Sequence, residues 1–440
     1  MWPVSRTIDR YDTTFDHPGL IANAGLIVTA TLMTRLGVEG LVTRWVRTGA
    51  PNAGRKICTL IAAMLAGATH IDHVEVLRAG DTQTVLPFKV MAPSTIGTFL
   101  RTFTFGFVRQ LDAVASRLLT RAWQLGAGPG DGDLVIDLDS TICEVHGHAK
   151  HGAAYGYTKQ LGYHPLLATR AETGEILFSR MRKGSAGSSR GVVRFVNELA
   201  AIVGRAGATG PLTVRADSAF WSWKLIDTLD RHRIRWSITV AQHANIGAAI
   251  ASIADDAWVD IDYPVSGRAQ VAETLYTVHG GRSKRKVRTV RLVVRRTRLA
   301  DSTQGRLWPE WRHHAFITNR HDLNTIAADQ FHRQHAVVEL AIRDLKAGAG
   351  AEHIPSGHYP ANAAWLACAV IAHNLTRWAT LLGEQPAINN TTFRTRITAI
   401  PAVAVNRSRR LTLRLPTRWP WHSEFTSLLA ALRALPGPAG

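Results

Sequence analysis

Cysteine is nearly absent. Cys58, Cys143 and Cys368 are the only three in 440 residues, an odd number with no CxxC spacing. Neither a disulfide framework nor a cysteine zinc site is indicated, and a reducing cytoplasm fits. The opening MWPVSRTIDRYD lacks the basic-then-apolar pattern of a signal peptide. Residues 17–34 contain no Lys, Arg, Asp or Glu, but Pro18, Asn23 and several Gly and Thr lower their apolar density. A buried helix is expected there rather than a membrane span. No repeat of about 20–50 residues is present. Acidic residues are few: 33 Asp and Glu stand against 52 Lys and Arg, a net charge of +19. The usual partner of so basic a chain is nucleic acid.

Hydrophobic residues make up 46% of the chain, enough for a large core and two or three domains. Residues 1–16 read as a polar lead-in. From Gly19 to about Trp123, apolar residues recur at three- and four-residue spacing, at 26–36, 55–67 and 107–125, which predicts helices. Ser94 or Thr95 is the expected N-cap of another. This unit, 1–126, carries Arg44, Arg47, Arg55, Lys56, Arg101 and Arg109, and reads either as a DNA-binding domain or as a plain helical bundle.

AGPGDG at 127–132 marks a linker, and the pattern then changes to strands. Strands are expected at 134–140, 164–170 and 176–182, the last two joined by a Glu172-Thr173-Gly174 turn. Two more follow at 212–216 and 236–240, with helices at 191–202 and 223–231 before each. This is an α/β order whose first strands form a meander, as in a mixed central sheet. Within 244–311, residues 271–278 and 287–297 alternate β-branched and polar side chains, predicting a β-rich insertion. A strand at 314–318 returns to the core. Helices at 327–346 and 361–382 flank AGAGA, where Gly348 and Gly350 should stop the first helix in a flexible break. The C-terminal region, 383–440, holds strands at 402–405 and 411–415 and a helix near 425–435.

The stretch DLVIDLDST at 133–141 reads as a buried strand ending in carboxylates. Asp137 and Asp139 are two residues apart and share a face. Asp217, in VRADSAF, ends another strand. Glu339 lies inside the 327–346 helix, where His332, His335, Glu339, Arg343 and Lys346 fall at spacings of three and four and share one face. Each acid also has a plainer reading: Asp139 as a turn residue, Asp217 as a helix cap, Glu339 as a solvated side chain. Together, two strand-end Asp and one helix Glu can hold two hard divalent cations through oxygen. Two such ions about 4 Å apart clamp the attacking and leaving oxygens of a phosphodiester.

With DLDST, GYHPLLA (162–168), RKGSAGSSRG (182–191), RADSAF (215–220), VVELAIRDLK (337–346), NAAWLACAVIAHNL (362–375) and APSTIGTFLR (92–101), the chain resembles bacterial insertion-sequence transposases of the DDE type, in the group numbered thirteen-eighty. The resemblance covers nearly the whole chain. It implies a ribonuclease-H-like core at 127–243 and 312–382, with the β-rich insertion between the second Asp and the Glu. It implies a catalytic and metal-binding triad of Asp139, Asp217 and Glu339 holding two Mg²⁺ or Mn²⁺ ions, with Asp137 as the alternative first ligand. The expected partners are the element's terminal repeats and target DNA, with a dimer in the synaptic complex, no membrane, and a cytoplasmic, nucleoid-associated location. The alternatives are a ribonuclease-H-like nuclease without strand transfer and a non-catalytic DNA-binding relic.

The family's helix has a Tyr and an Arg where this chain has His332 and His335, with Arg333 or Arg343 available to substitute; Lys346 fits the pattern. Trp308 or Trp311 could stack on an extruded base, or sit in the core. Lys284, Arg285 and Lys286 are expected at a phosphate-contacting turn. Arg182, Lys183 and Arg190 lie in a Gly- and Ser-rich loop suited to cradling backbone phosphate. HGHAKH (His146, His148, His151) reads as a solvated loop near DNA before a zinc site.

Overall fold

The computed structural model describes residues 11–147, 149–156, 159–263, 268–279, 287–298, 311–407 and 410–438. A two-residue strand, β1 (Leu20–Ile21), leads into α1 (Leu26–Leu36), α2 (Val38–Trp45), α3 (Ala53–Leu65), α4 (Pro93–Arg101) and α5 (Phe105–Ala122). The end of the uncharged stretch becomes α1, whose apolar side chains are buried. Among the described residues no single helix is long and apolar enough to cross a membrane, although α1 and α2 together, bent by 50°, meet the length and composition. Neither Ser94 nor Thr95 caps α4. Pro93 opens that helix behind Ala92, because its fixed φ is already helical and its missing N–H would have had no partner there.

The strands that follow are β2 (Leu134–Ser140), β3 (Cys143–Glu144), β4 (Ala154–Tyr155), β5 (Leu161–Tyr163), β6 (Leu166–Arg170) and β7 (Ile176–Arg180). Then come α6 (Val192–Ala206), β8 (Leu212–Ala216), α7 (Trp223–Arg231) and β9 (Arg235–Val240). β2, β6 and β7 form an antiparallel meander, and β8 and β9 add in parallel on the other side of β2. The spatial order β7-β6-β2-β8-β9, with the first strand central, is that of a ribonuclease-H-like sheet. The small β3, β4 and β5 make a separate three-stranded sheet.

After α8 (Ala244–Ala251), the β-rich insertion is present as β10 (Val259–Ile261), β11 (Ala269–His279) and β12 (Val287–Arg298). It does not stand apart. β12 pairs with β13 (Trp311–Thr318), and β13 pairs with β9, so the central sheet reaches nine strands. Thr325–Arg333 forms α9 and Val337–Arg343 forms α10. The single helix expected at 327–346 is thus divided by a 3₁₀ turn at Gln334–Ala336 and closed by a π turn at Asp344–Gly348. The glycine break is packed, not loose: Ala349 and Ala351 are buried, and the Gly350 carbonyl accepts from Trp365 Nε1 at 2.8 Å.

Helix α11 (Tyr359–Leu382) has 20 of its 24 residues buried, as expected of a helix apolar on every side. It packs against α1, α3, α4 and α5 and against β7, so the helical shell and the sheet share one core. The short α12 (Asn390–Phe393) and the strands β14 (Ala402–Arg407) and β15 (Arg410–Arg414) follow, and α13 (His422–Ala434) lies on α1.

Candidate active site

Strands β2 and β8 are parallel neighbours in register, with Asp137 opposite Arg215 and Leu138 opposite Ala216. One residue further, Asp139 and Asp217 leave the same edge of the sheet side by side. Leu134, Ile136 and Leu138 fill the core on one face of β2. The alternate residues face α10, which packs on β2 and carries Glu339. The sheet and helix therefore bring the three sequence-predicted acids to one end of the fold.

Asp139 is half-buried and accepts from the Ser140 N–H at 2.6 Å. Burial pushes its carboxyl up to about 6; the Ser140 N–H and His335 oppose the rise, while the negative charges of Asp217 and Glu339 add to it. Asp217 is raised as well, first by burial, against the pull of the Ala219 N–H and His335. The plainer reading of Asp217 is also real: its Oδ1 caps the 3₁₀ turn Ser218–Phe220 through Ala219 at 3.0 Å. Glu339 is exposed. Among the described residues none of the three forms an ion pair with a Lys or Arg.

Asp139 and Glu339 line a cleft of about 300 Å³ with Ser140, Thr141, Arg343, Lys346 and Glu352. Asp217 lies beside this cleft and outside its lining. The Lys346 ammonium donates to the Ile142 carbonyl at 2.9 Å, which holds it at the end of β2. Carboxylate donors with no Lys or Arg paired to them among the described residues, two of which stand close enough to Asp139 to raise it, suit a hard divalent cation in chemistry. Among the described residues no three His, Cys, Asp or Glu side chains are gathered into a ready-made metal cage.

Asp137 is elsewhere. It is fully buried, and both its oxygens are taken: Arg215 Nε and Nη2 donate to Oδ1 and Oδ2 at 2.7 and 2.8 Å, and His335 Nδ1 lies 2.7 Å from Oδ1. It points under α10 rather than out of the sheet edge.

The basic candidates divide. Arg343 and Lys346 line the acid cleft. His332 does not reach solvent, which corrects its expected place on the Glu339 face: it stacks on Phe316 with ring centroids 4.1 Å apart, and its two nitrogens lie 2.8 and 2.9 Å from the Ser237 and Thr239 hydroxyls. His335 is committed to Asp137, and Arg333 to Asp329 at 2.9 Å. Trp311, at the start of β13, is half-buried under the Arg296 guanidinium, 4.6 Å from the ring centre. Trp308, Lys284, Arg285, Lys286 and His148 lie outside the described residues. His146 and His151 are exposed.

Arg182 is buried and organises its loop instead of offering a free cation. It donates to the carbonyls of His164, Gly187, Ser188 and Arg190 at 2.8–3.1 Å. The loop so fixed touches the end of β2, where the Ser140 and Ser188 hydroxyls are 3.0 Å apart, and leaves Lys183 and Arg190 exposed. Two residues were missed from sequence. Arg215 had a signal, since it precedes Asp217 by the same two positions as Asp137 precedes Asp139. Glu352 had none, because only the chain reversal at Gly348–Gly350 brings it to the cleft.

No curated protein sequence matches the chain. Among solved structures, a piggyBac transposase in a synaptic complex with hairpin DNA is similar, at 11% identity and a TM-score of 0.47, over 86% of this chain and 79% of that one. The family described as transposase DDE domain group 1 matches residues 13–437. That match spans almost the entire chain, and the protein belongs to the DDE transposases.

Proposed function

We propose that the protein is a transposase that binds the terminal inverted repeats of an insertion sequence, cleaves the DNA there and joins the 3′ ends to target DNA. The observation that carries this reading is the meeting of Asp139 on β2, Asp217 just past β8 and Glu339 on α10 at one end of the sheet, none of them ion-paired with a Lys or Arg among the described residues. In this reading the three carboxylates would hold two Mg²⁺ or Mn²⁺ ions, whose charge would favour ionisation of the attacking oxygen and offset that of the leaving one. Lys346 and Arg343 hold the phosphate beside the acids. Lys183 and Arg190, on the loop pinned by Arg182, track the backbone leading to it. The helical unit at 1–126 contributes further DNA contacts, two copies bring two ends together, and the protein works on nucleoid DNA in the cytoplasm.

Asp139→Asn, Asp217→Asn and Glu339→Gln are expected to abolish Mg²⁺- or Mn²⁺-dependent cleavage of end DNA while end binding persists. Undiminished cleavage by these variants would sink the assignment. A pre-cut end that is bound but never joined to target DNA would leave a nuclease without strand transfer. DNA binding with no response to any divalent ion would leave a non-catalytic relic.

A further inference from the structure

Directly behind the three acids lies a second triad, and its members stand in fixed sequence relation to the first. Asp137 precedes Asp139 by two residues on β2, Arg215 precedes Asp217 by two on β8, and His335 precedes Glu339 by four along the helical run. Two residues of strand advance about 6.6 Å at about 3.3 Å each. His335 lies in the 3₁₀ turn that leads into α10, and Glu339 in the first turn of α10. Each member of the rear triad thus lies two to four residues ahead of its front counterpart on the same run of chain.

The rear triad is bonded to itself. Arg215 grips Asp137 with two parallel hydrogen bonds, 2.7 and 2.8 Å, and His335 reaches the same carboxylate at 2.7 Å. Arg215 Nη1 also donates to the Phe331 carbonyl at 2.7 Å, so it holds the last turn of α9 as well as β2. A bidentate guanidinium–carboxylate pair fixes distance and angle together. Asp137 and Arg215 are both buried, where a broken partner is costly and slippage is penalised.

We infer that Asp137, Arg215 and His335 are positioning residues that set the register of β2, β8 and α10, and thereby the spacing of Asp139, Asp217 and Glu339 as a divalent-cation site. This rests on the metal-dependent reading proposed above. The charges of Asp217 and Glu339 raise Asp139, and among the described residues none of the three front carboxylates is ion-paired with a Lys or Arg. The rear triad supplies the attraction that the front one lacks. It also explains why an Asp two residues from the proposed ligand is itself unsuited to be one: its charge is already neutralised.

The test is Mn²⁺ binding by the full-length protein without DNA, followed by electron paramagnetic resonance, alongside thermal unfolding and cleavage of end DNA. The variants are Asp137→Leu combined with Arg215→Met, His335→Ala, His335→Asn and Asp139→Asn. Replacing both members of a buried ion pair by apolar groups is often tolerated, so the double variant should fold. Its Mn²⁺ affinity should drop about 10-fold or more, the usual cost of losing a residue that orients a metal ligand. His335→Ala, which alters only one partly accessible side chain, should show the same direction and decides the matter if the double variant does not fold. His335→Asn, whose amide can occupy the place of Nδ1, should recover most of the affinity. Unchanged Mn²⁺ affinity in His335→Ala, or lowered unfolding temperature without lowered affinity, overturns the inference. Asp139→Asn separates the two levels: if it binds Mn²⁺ and cleaves as wild type does, the function reading fails whatever the rear triad does. A wild-type chain that binds no Mn²⁺ overturns both.

Discussion

Glu175 offers a quantitative check on how the helical shell is joined to the sheet. It sits fully buried in the turn between β6 and β7. Trp123 Nε1, from the turn after α5, donates to its two oxygens at 3.0 and 3.3 Å; Trp378 Nε1 of α11 donates to Oε1; the Arg170 guanidinium stands 3.9 Å away. Burial outweighs these partners and pushes the carboxyl from 4.5 up to about 7. A folded value above the unfolded one means that the folded state holds the proton more tightly. The stabilisation is therefore whole below about pH 4.5 and is lost as the pH rises through about 7. At about 1.4 kcal/mol for each pH unit between those values, the loss comes to roughly 3 kcal/mol by pH 8. Glu175→Gln has no proton to lose and keeps an acceptor for the two indoles. Urea unfolding of both proteins from pH 4.5 to 8 should show the variant gaining on wild type by up to roughly 3 kcal/mol across that range. Asp112 and Asp139, also raised, titrate in both proteins and cancel in the difference. Parallel stability curves would refute the reasoning, since they would mean that Glu175 ionises freely in the fold.

Three further outcomes follow from single side chains. Lys346→Ala should weaken end-DNA binding evenly across sequences and lower the slope of log affinity against log salt by about 1, with little change in unfolding temperature. His332→Ala should cost about 2–4 kcal/mol in urea unfolding, because it empties the stack on Phe316 and leaves two hydroxyls without their partner, while the folded fraction binds DNA normally. Gly184→Ala should cost about 1–3 kcal/mol, read as a lower unfolding temperature, since its Cβ would lie 2.1 Å from the Gly162 carbonyl oxygen and 2.3 Å from that of Ala154.

The strand ends were legible because a period of two and a run of β-branched residues are local properties: β2 and β8 lie where the pattern puts them, and their acids emerge together. Partner choice is not local. Nothing in the alternation of β11 and β12 says that β13 will dock on β9 and lengthen the central sheet. Arg215 gripping Asp137 likewise requires knowing that β2 and β8 are neighbours. The face of His332 was misjudged for a geometric reason. The 3₁₀ turn at Gln334–Ala336 winds at three residues per turn and adds about 20° of rotation per residue, about 60° in all, relative to an α-helix. That turn swings α9 away from α10, so His332 enters the sheet while Glu339 stays at the cleft.

The pairing of Leu20 with Val403, extended by the Ala24 N–H donating to the Ile400 carbonyl, joins positions nearly the whole chain apart. During synthesis at about 5–20 residues per second, roughly 20–80 s separate the emergence of those two residues. For most of that interval the apolar sides of α1 and α3 have no α11 to cover them, and α13 is made only after it. The helical shell is the first part made and the last part finished, so during synthesis apolar surface stays uncovered longest on the earliest helices rather than on the latest ones.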